Sequence, residues 1–495
     1  MKKNKIIAVD QSTSATKAML FSEDFQLICR SNVPHKQYYP KTGWVEHDPL
    51  EIYDNVLIAI RDLFEKNQIT QEDQYSLCIT NQRETVVVWN KVTGNPVCNA
   101  VVWQDLRGDS ICKDLVANGF SKSVKEKSGL IIDPYFSASG VKWILDNVEG
   151  ARKAAEQGDL LMGTIDSWLI WKLTEGQVHA TDHTNASRTL LFNIHKLAWD
   201  EDLLGLFTIP ASMLPKILPC DSVFGETTVN NLFHQPILIA GVIGDSHGAL
   251  TGQMCFEEGL GKTTYGTGSS VMVNIGEKAA PAPEGLVTSI GFSALGKVFY
   301  AFEGNIHSTG ATVKWVKENL GLISSTDEIE ALASSVSDNQ GVYFVPAFSG
   351  LGAPWWQSSV KAAVFGLSFG VGKEHILRAV LESIAYQVND LIRAMTQQAK
   401  ISLKELRVDG GPTKNRLLMQ FQADLLRVPV NCSNIEEASA LGAVIMNGFA
   451  RKVRTGFKEV SELRGETRSY SPVADEKSMT LVYEGWLKAV KQLIK

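Results

Sequence analysis

The chain has 495 residues, well above the ~100–200 residues of one typical domain, so at least two packed units are expected. Hydrophobic residues make up 44% of the sequence and charged residues 21%, values typical of globular proteins, which excludes a wholly disordered chain. The 48 Lys and Arg against 54 Asp and Glu give a formal net charge of -6, so the sequence offers no broad basic surface for nucleic acid.

Features of targeting and redox chemistry are weak. Residues 1–5 run directly into a strand-like apolar stretch, without the long apolar core of a secretory signal. The longest apolar runs, such as 236–243, are much shorter than the ~20 residues that cross a bilayer. The seven cysteines are odd in number and form no Cys-x-x-Cys pair. We therefore expect a cytoplasmic protein with reduced cysteines and no membrane insertion.

Strand-like and helix-like patterns alternate along the whole chain. Apolar runs predict strands over residues 5–9, 18–21, 86–89 and 237–242. Apolar spacing of three and four predicts helices over residues 49–66, 105–118, 139–147, 311–320, 373–398 and 414–426. This alternation is typical of an α/β fold.

One local pattern occurs twice: a strand, a turn rich in hydroxyl residues and glycine, and a second strand. The copies lie at residues 6–21 and 262–274, about half a chain apart. The repeat predicts two similar lobes, each opening with a tight hairpin. We place the boundary near residue 250, between an N-terminal lobe at 1–250 and a C-terminal lobe at 251–495.

The two repeated turns are candidate phosphate sites. Thr13 and Ser14 lie in the first turn, and Gly266 and Thr267 in the second. Small and hydroxyl residues let backbone N–H groups approach an anion closely, and their side chains add donors. Two ordinary hairpins are the alternative, because Ser, Thr and Gly are also good turn formers.

Two aspartates follow predicted buried strands. Asp10 stands immediately before the first turn, where a carboxylate can reach Mg²⁺ through water. Asp245 follows the apolar run 237–244, at a strand end where α/β sheets commonly bind ligands. It is the candidate base that accepts the proton of a substrate hydroxyl group. Turn capping by Asp10 and helix capping by Asp245 are the structural alternatives.

Arg83 and Glu84 place a cation beside an anion, just before a predicted strand. Arginine donates to, and glutamate accepts from, neighbouring hydroxyl groups, as a diol requires. Trp103 and Tyr135 could add an apolar wall and a hydroxyl contact, although each alone also fits a core position. Together these residues indicate a site for a small polyol.

A strand, a glycine turn and a helix start are predicted over residues 406–415. Gly411 would let a flat adenine or a ribose lie against the backbone, and Asn415 could donate hydrogen bonds to the base or the sugar. The order along the chain, two phosphate turns and then this turn, favours a nucleotide site.

Motifs over most of the chain carry a family resemblance. They lie at residues 43–49, 81–85, 132–137, 141–146, 184–189, 265–268, 348–354 and 381–387. Together with the segment 362–382, which is similar to a C-terminal family signature, they make the chain resemble the FGGY family of carbohydrate kinases. The resemblance implies two actin-like, ribonuclease-H-like lobes that bind ATP and Mg²⁺ in the cleft between them. It also implies lobe closure, which excludes water from the transfer.

The resemblance also assigns site residues. It implies that the polyol is held by Arg83, Glu84, Trp103, Tyr135 and Asp245. Asp245 would act as the base, and both Asp10 and Asp245 would lie on the metal side. The residues implied for the nucleotide are Thr13, Ser14, Lys17, Gly266, Thr267, Gly310, Lys314, Gly411 and Asn415. A homodimer or homotetramer is also implied.

Two positions depart from the branch of this family that phosphorylates glycerol. That branch usually carries Gln and Phe where this chain has Ser246 and Ser270. Both differences are truncations that leave room and hydroxyl groups for a longer substrate. Glycerol is the first choice because the five polyol residues are present. A four- or five-carbon polyol or ketose is one alternative, and an actin-like, nucleotide-gated binding protein is another.

Overall fold

The computed structural model describes residues 4–69, 73–465 and 467–495, so residues 1–3 of the N-terminal segment considered above lie outside the described residues. The first part of the chain supplies fourteen strands: β1 (Asn4–Gln11), β2 (Ala15–Ser22), β3 (Leu27–Pro34), β4 (Glu46–His47), β5 (Gln74–Asn81), β6 (Val86–Asn90), β7 (Ala100–Val101), β8 (Leu160–Thr164), β9 (Ala180–Asp182), β10 (Phe192–Asn193), β11 (Ala198–Trp199), β12 (Lys216–Leu218), β13 (Val223–Thr227) and β14 (Ile237–Gly244). The unit around their largest sheet is called the first lobe below.

The helices of the same part are α1 (Pro49–Lys66), α2 (Asp109–Ala117), α3 (Ser121–Ser128), α4 (Ser137–Asn147), α5 (Ala151–Glu156), α6 (Ile165–Leu173), α7 (His183–Ala186), α8 (Glu201–Phe207) and α9 (Asp245–Gly252), with a 3₁₀ turn at Ala211–Met213. The start of α1 follows from its sequence. Asp48 accepts a hydrogen bond from the Leu50 backbone N–H, and Pro49 occupies the first helical position, where no N–H is needed.

The remaining strands are β15 (Leu260–Tyr265), β16 (Ser269–Asn274), β17 (Val287–Ala294), β18 (Lys297–Ile306), β19 (Tyr343–Val345), β20 (Ala363–Phe365), β21 (Glu405–Gly410), β22 (Val430–Cys432) and β23 (Arg468–Tyr470). The remaining helices are α10 (Gly310–Glu318), α11 (Glu328–Ser334), α12 (Lys373–Ala399), α13 (Arg416–Leu426), α14 (Ala438–Ala450), α15 (Phe457–Ser461) and α16 (Glu476–Leu493), with a 3₁₀ turn at Gly411–Lys414. The unit around their largest sheet is the second lobe.

The main sheets of the two lobes share one arrangement. The first has six strands in the order β13-β14-β5-β1-β2-β3, and the second has seven in the order β17-β18-β16-β15-β21-β22-β23. In the first lobe, β1 pairs antiparallel with β2 and parallel with β5. In the second, β15 pairs antiparallel with β16 and parallel with β21. The two hairpins predicted from the repeated pattern are therefore present, and neither lies at the edge of its sheet.

Most predicted elements are confirmed, and the largest error lies at a helix start. The predicted strands fall within β1, β2, β6 and β14. The helix predicted from residue 105 begins at Asp109 instead, because the Asp105 carboxylate holds a turn by accepting hydrogen bonds from Val45 N (2.6 Å) and Arg107 N (2.7 Å). The helix predicted from residue 414 begins at Arg416, because Asn415 is its N-cap.

The helix α14 joins the lobes, although it comes late in the chain. It packs on α9 and on β14, β5 and β1 of the first lobe. Gly442 makes the crossing with α9 possible, since a Cβ atom there would lie 2.1 Å from the Gly248 carbonyl oxygen. Asn447 completes the contact by donating to the Ala240 carbonyl at 2.8 Å. Among the described helices, none is both long and apolar enough to cross a membrane.

Candidate active site

Three parallel strands of the first lobe end side by side. Gln11 at the end of β1 is the Cα partner of Asn81 at the end of β5, which is also paired with Gly244 at the end of β14. The residues that follow these strands must therefore lie close together. This register explains why Arg83 and Asp245 approach each other, although they are far apart in the sequence.

The carboxyl ends of these strands face a cavity of about 620 Å³ between the lobes. The first lobe lines it with Thr13, Arg83, Glu84, Trp103, Tyr135, Asp245 and Ser246, among others. The second lobe contributes Gly268, Ser269, Glu303, Asn305 and His307, among others. All five residues predicted to hold the polyol thus line one cavity together, as does Ser246, one of the two predicted substrate-site serines.

Four buried charged side chains form a cluster in the wall of this cavity. Arg83 donates from Nη1 and Nη2 to the two carboxylate oxygens of Glu303, at 2.8 Å each. Arg188 Nη1 lies 3.0 Å from Glu303 Oε2, and Arg188 Nε donates to Glu84 Oε1 at 2.5 Å. Each of the four side chains is at most 5% exposed. Two cations and two anions therefore compensate one another away from water.

The charges of the cluster decide its protonation. Burial alone would raise the pKa of Glu303, but Arg188 and Arg83 hold that pKa well below its ordinary value. Burial also raises the pKa of Glu84, and the same two arginines oppose the rise. Glu303 is therefore ionised across the physiological range and keeps the Arg83 guanidinium in one orientation.

Asp245 is the first residue of α9, and Gly244 holds the N-cap position. Its Oδ1 accepts a hydrogen bond from Ser246 N at 2.5 Å and lies 3.0 Å from Arg83 Nε. The side chain is 36% exposed. One carboxylate oxygen is thus held by the protein, while the other is accessible to a ligand.

Asp10 lies at the end of β1 and is almost fully buried. Burial raises the pKa of Asp10 to about 7, against the opposing effect of Lys17 and with a further rise from Asp245. Its Oδ1 has no hydrogen-bond partner among the described residues. A buried carboxylate oxygen without a partner is costly, and a cation would relieve that cost.

Trp103 links the predicted polyol residues to the first turn. Its indole Nε1 donates to Thr13 Oγ1 at 3.0 Å, and its ring meets Tyr135 edge to face at 5.4 Å. Burial raises the pKa of Tyr135 above its ordinary value.

Glu84 has a φ of 64°, a left-handed conformation that costs free energy for a residue with a side chain.

A second cavity, of about 520 Å³, lies on the second lobe. Its lining includes Gly266, Thr267, Gly310, Lys314 and Gly411, five of the residues predicted for the nucleotide. Gly310 N donates to Gly266 O at 3.0 Å, which ties the start of α10 to the turn of the β15–β16 hairpin. A Cβ atom on Gly310 would lie 2.5 Å from that carbonyl oxygen, so only glycine fits.

The other predicted nucleotide residues have different surroundings. Ser14 lies in the first turn, and its carbonyl accepts a hydrogen bond at 3.2 Å from the N–H of His35, the residue after β3. Lys17 Nζ donates to Glu437 Oε2 at 2.8 Å, across the lobes. Asn415 uses its Oδ1 as the cap of α13, accepting from Leu418 N at 2.9 Å, which leaves its amide N–H groups available. Their predicted roles remain predictions.

Ser270 differs from the other predicted polyol residues. Its Oγ accepts a hydrogen bond from Lys262 Nζ at 3.2 Å, and its Cα partner across the strands is Asn305, which lines the large cavity. Ser270 itself is not part of the described cavity lining. It therefore lies next to the predicted site, and its role in substrate binding also remains a prediction.

Four residues that line the large cavity were not predicted as site residues from the sequence: Glu303, Arg188, Asn305 and His307. The sequence could have indicated Glu303, because Glu303 is the one carboxylate in the apolar strand β18. A lone charge in a buried strand indicates a buried partner. Arg188 lies in a segment that was noted only as a family motif. No local pattern identified its partners, since Glu84 lies 104 positions earlier and Glu303 belongs to a strand of the second lobe.

Two family descriptions match the sequence in succession. The N-terminal domain of the FGGY family of carbohydrate kinases matches residues 5–252. The C-terminal domain of the same family matches residues 261–451. Together they cover most of the chain.

Curated relatives match over nearly the whole length. Glycerol kinase 1 of Thermotoga maritima is 51% identical over 493 residues, which cover 99% of each chain. The glycerol kinase of Bacillus subtilis is 47% identical over 490 residues, which cover 98% of each chain. Identities this high over full lengths show a common fold and family.

Solved structures support the same assignment. The crystal structure of Plasmodium falciparum glycerol kinase with ADP superposes with a TM-score of 0.96 at 36% identity, covering 100% of this chain and 99% of that one. A ligand-bound xylulose kinase from Lactobacillus acidophilus gives a TM-score of 0.89 at 20% identity, covering 99% and 98%, which shows a shared fold. The α/β fold with two lobes, predicted from the sequence, is confirmed.

Proposed function

Because the chain belongs to the FGGY family of carbohydrate kinases, we propose that it transfers the γ-phosphoryl group of ATP to a terminal hydroxyl group of a small polyol, with glycerol as a substrate. One observation carries the proposal. Arg83, Glu84, Trp103 and Asp245 line a single cavity whose wall also includes Thr13 of the first turn. A polyol bound there lies beside a candidate phosphate site.

Arg83 and Glu84 bind neighbouring hydroxyl groups of the polyol. Each Nη of Arg83 donates one N–H to Glu303, and Nη1 also lies 3.5 Å from His247 Nδ1. Since Nε is directed at Asp245, the second N–H of Nη2 is the donor left for a ligand. Glu84 spends Oε1 on Arg188, which leaves Oε2 as an acceptor. Trp103 forms an apolar wall for the carbon skeleton.

Asp245 acts as the base. Ser246 N and Arg83 Nε hold Oδ1, so the orientation of the carboxylate is set before substrate arrives. The terminal hydroxyl oxygen forms a bond to the γ-phosphorus as the bond to the leaving ADP oxygen breaks, and Oδ2 of Asp245 takes the hydroxyl proton. The products are the phosphorylated polyol and ADP.

The nucleotide lies along the two hairpin turns and the glycine turn after β21. Gly266 and Thr267 carry no large side chain, so a phosphate group can approach this backbone closely. Gly266 N already donates to the Gly268 carbonyl at 2.8 Å, so Thr267 supplies the backbone N–H for a phosphate oxygen. Gly411 has no atom within 4 Å of the position of a Cβ, which is space for an adenosine. Ser14, Lys17, Lys314 and Asn415 would contribute polar contacts at the edges.

Asp10 and Asp245 would hold Mg²⁺. The unpartnered Oδ1 of Asp10 fits a divalent cation, because an ionised oxygen there needs a positive partner. Within the described residues, no group of three or more His, Cys, Asp or Glu could hold a metal by itself. The ion would therefore depend on phosphate and water oxygens for its other ligands. When bound, Mg²⁺ supplies neutralisation of the phosphate charge.

The experiment is ADP release with ATP, Mg²⁺ and glycerol, for the wild type and Asp245→Asn. We expect the variant to lose turnover by about 10²–10⁴-fold while nucleotide binding is kept, because proton transfer contributes roughly this factor. Asp114→Asn, on an exposed face of α2, is the matched control and should keep full activity. Near-normal turnover of Asp245→Asn would remove Asp245 from the role of base. Nucleotide binding by the wild type without turnover would favour the actin-like binding protein instead.

A cytoplasmic location, expected from the sequence, and a homodimer or homotetramer, which the family resemblance implied, stay predictions. Light scattering coupled to size-exclusion chromatography measures the number of chains directly. A monomer at working concentration would contradict the predicted assembly.

A further inference from the structure

The large cavity has a second polar wall beyond the residues assigned to glycerol. It is carried by the end of β18 and the residue after it. Successive side chains of a strand point to opposite faces, so Glu303, Asn305 and His307 share one side. Glu303 is consumed by its ion pairs with Arg83 and Arg188. Asn305 and His307 line the same cavity with exposed side chains.

These two side chains have unused hydrogen-bonding capacity. An amide offers two donors and an acceptor, and an imidazole offers at least one donor. Neither Asn305 nor His307 makes a side-chain hydrogen bond with another described residue. Glu303, two residues before Asn305, differs because both of its carboxylate oxygens accept hydrogen bonds from Arg83. The hydroxyl of Ser246, from the opposite lobe, lines the cavity as well. The wall is therefore polar, accessible and unpartnered.

The neighbouring serine strengthens this polarity. Ser270 is the Cα partner of Asn305 across the strands. Lys262 Nζ donates to Ser270 Oγ at 3.2 Å, so the Ser270 hydroxyl hydrogen is free to be donated elsewhere. Lys262 is 1% exposed, so its ammonium group is held in place beside the Ser270 hydroxyl.

The space also exceeds what three carbons need. The volume of about 620 Å³ lies in the range of ~300–1,000 Å³ that holds much larger ligands than a triol. Trp356 also lines the cavity and is 47% exposed, so part of its apolar ring is accessible to a ligand. Such a face packs against the C–H groups of a carbohydrate chain.

We propose that Asn305, His307, Ser246 and Trp356, called the distal wall below, bind the outer hydroxyl groups and carbons of an acyclic polyol with four or five carbons. This inference rests on the proposed function and names its substrate class. The reaction is unchanged: the terminal oxygen gains the phosphoryl group, ADP leaves, and the proton goes to Asp245. A longer polyol then uses donors and acceptors that glycerol leaves to water.

The test compares kcat/KM for glycerol, erythritol, D-threitol, L-threitol, ribitol and xylitol at saturating ATP and fixed Mg²⁺. At least one longer polyol should match or exceed glycerol. Asn305→Ala should lower kcat/KM for that polyol by about ten-fold more than for glycerol, since one hydrogen bond to substrate is lost. Trp356→Ala should likewise change the ratio in favour of glycerol, through the KM of the longer polyol.

Asn95→Ala is the matched control, because Asn95 is exposed in a turn of the first lobe and lies outside the cavity lining. It should leave both substrates unchanged. Melting temperatures of all variants separate unfolding from a specific effect, and Trp356→Ala gives a second readout if Asn305→Ala is unstable. Turnover of glycerol with every longer polyol at least 100-fold poorer would overturn the distal wall. An equal loss for all substrates in both variants would overturn it too. No turnover of any polyol, glycerol included, would overturn the proposed function itself.

Discussion

The two cavities are built in opposite ways. The large cavity is shaped by charged side chains of both lobes, with Arg83, Arg188, Glu84 and Glu303 paired and buried. The second cavity is shaped by glycine and backbone, and its one charged predicted residue, Lys314, is 69% exposed. In the first, orientation comes from mutual ion pairs, so one change affects all four groups. In the second, the space exists because glycines carry no side chain, so substitutions that add atoms there should reduce nucleotide binding.

The largest expected effect breaks the charge cluster. Glu303→Ala leaves Arg83 and Arg188 buried without their shared partner, which costs roughly 3–5 kcal/mol of unfolding free energy. Urea denaturation measures this cost, and ADP release with glycerol should fall in parallel because Arg83 loses its fixed orientation. Glu303→Gln keeps the shape and should cost less. A loss below about 1 kcal/mol in Glu303→Ala would show that the cluster does not set the geometry of this cavity.

A smaller effect is expected in the backbone-built cavity. Gly310→Ala places a Cβ 2.5 Å from the Gly266 carbonyl, and the forced shift should cost about 1–3 kcal/mol and raise the KM for ATP. Gly411→Ala is the matched control for stability, since its Cβ meets no protein atom within 4 Å. We expect Gly411→Ala to leave the melting temperature unchanged and to raise only the KM for ATP. Equal destabilisation by both changes would contradict the comparison.

The smallest expected effect is a pH dependence of the unfolding free energy. It comes from a buried neutral histidine near the large cavity, not from the four charged side chains of the cluster. His47 is fully buried, and burial together with His35 lowers its pKa to about 3. Its Nδ1 lies 3.3 Å from Nε2 of Gln82, the residue before Arg83. The unfolded chain takes up this proton near pH 6.5, so the contribution to stability is complete above that pH and is lost as the pH falls toward 3.

Between pH 7 and 5.5 the loss from His47 should be about 1 kcal/mol of unfolding free energy. Comparing urea denaturation of the wild type and His47→Gln at the two pH values isolates this part. His195→Gln, at an exposed position, should show the same pH dependence as the wild type. If His47→Gln loses as much stability as the wild type on acidification, the histidine is not the group that titrates.

Local patterns predicted the framework well. The strand ends at Asp10 and Asp245 were read from apolar runs, and the structure brings both residues to the same edge of the sheet. The helix from Pro49 was predicted with its observed ends. The helix predicted from residue 105 started too early, because Asp105 bonds to Val45, which is 60 positions away. A spacing rule contains no information on such a partner.

Sequence and tertiary structure thus divide the protein between them. Periodicity, turn residues and the position of a side chain after a strand are local properties, so the α/β alternation, the paired hairpins and residues such as Arg83 and Asp245 follow from the sequence. The pairing of Arg83 with Glu303 joins residues 220 positions apart. Such a pair forms only after both sheets have folded and the lobes have packed together, because two residues so far apart in the sequence share no local pattern. The same arrangement turns Asn305 and His307 toward the cavity.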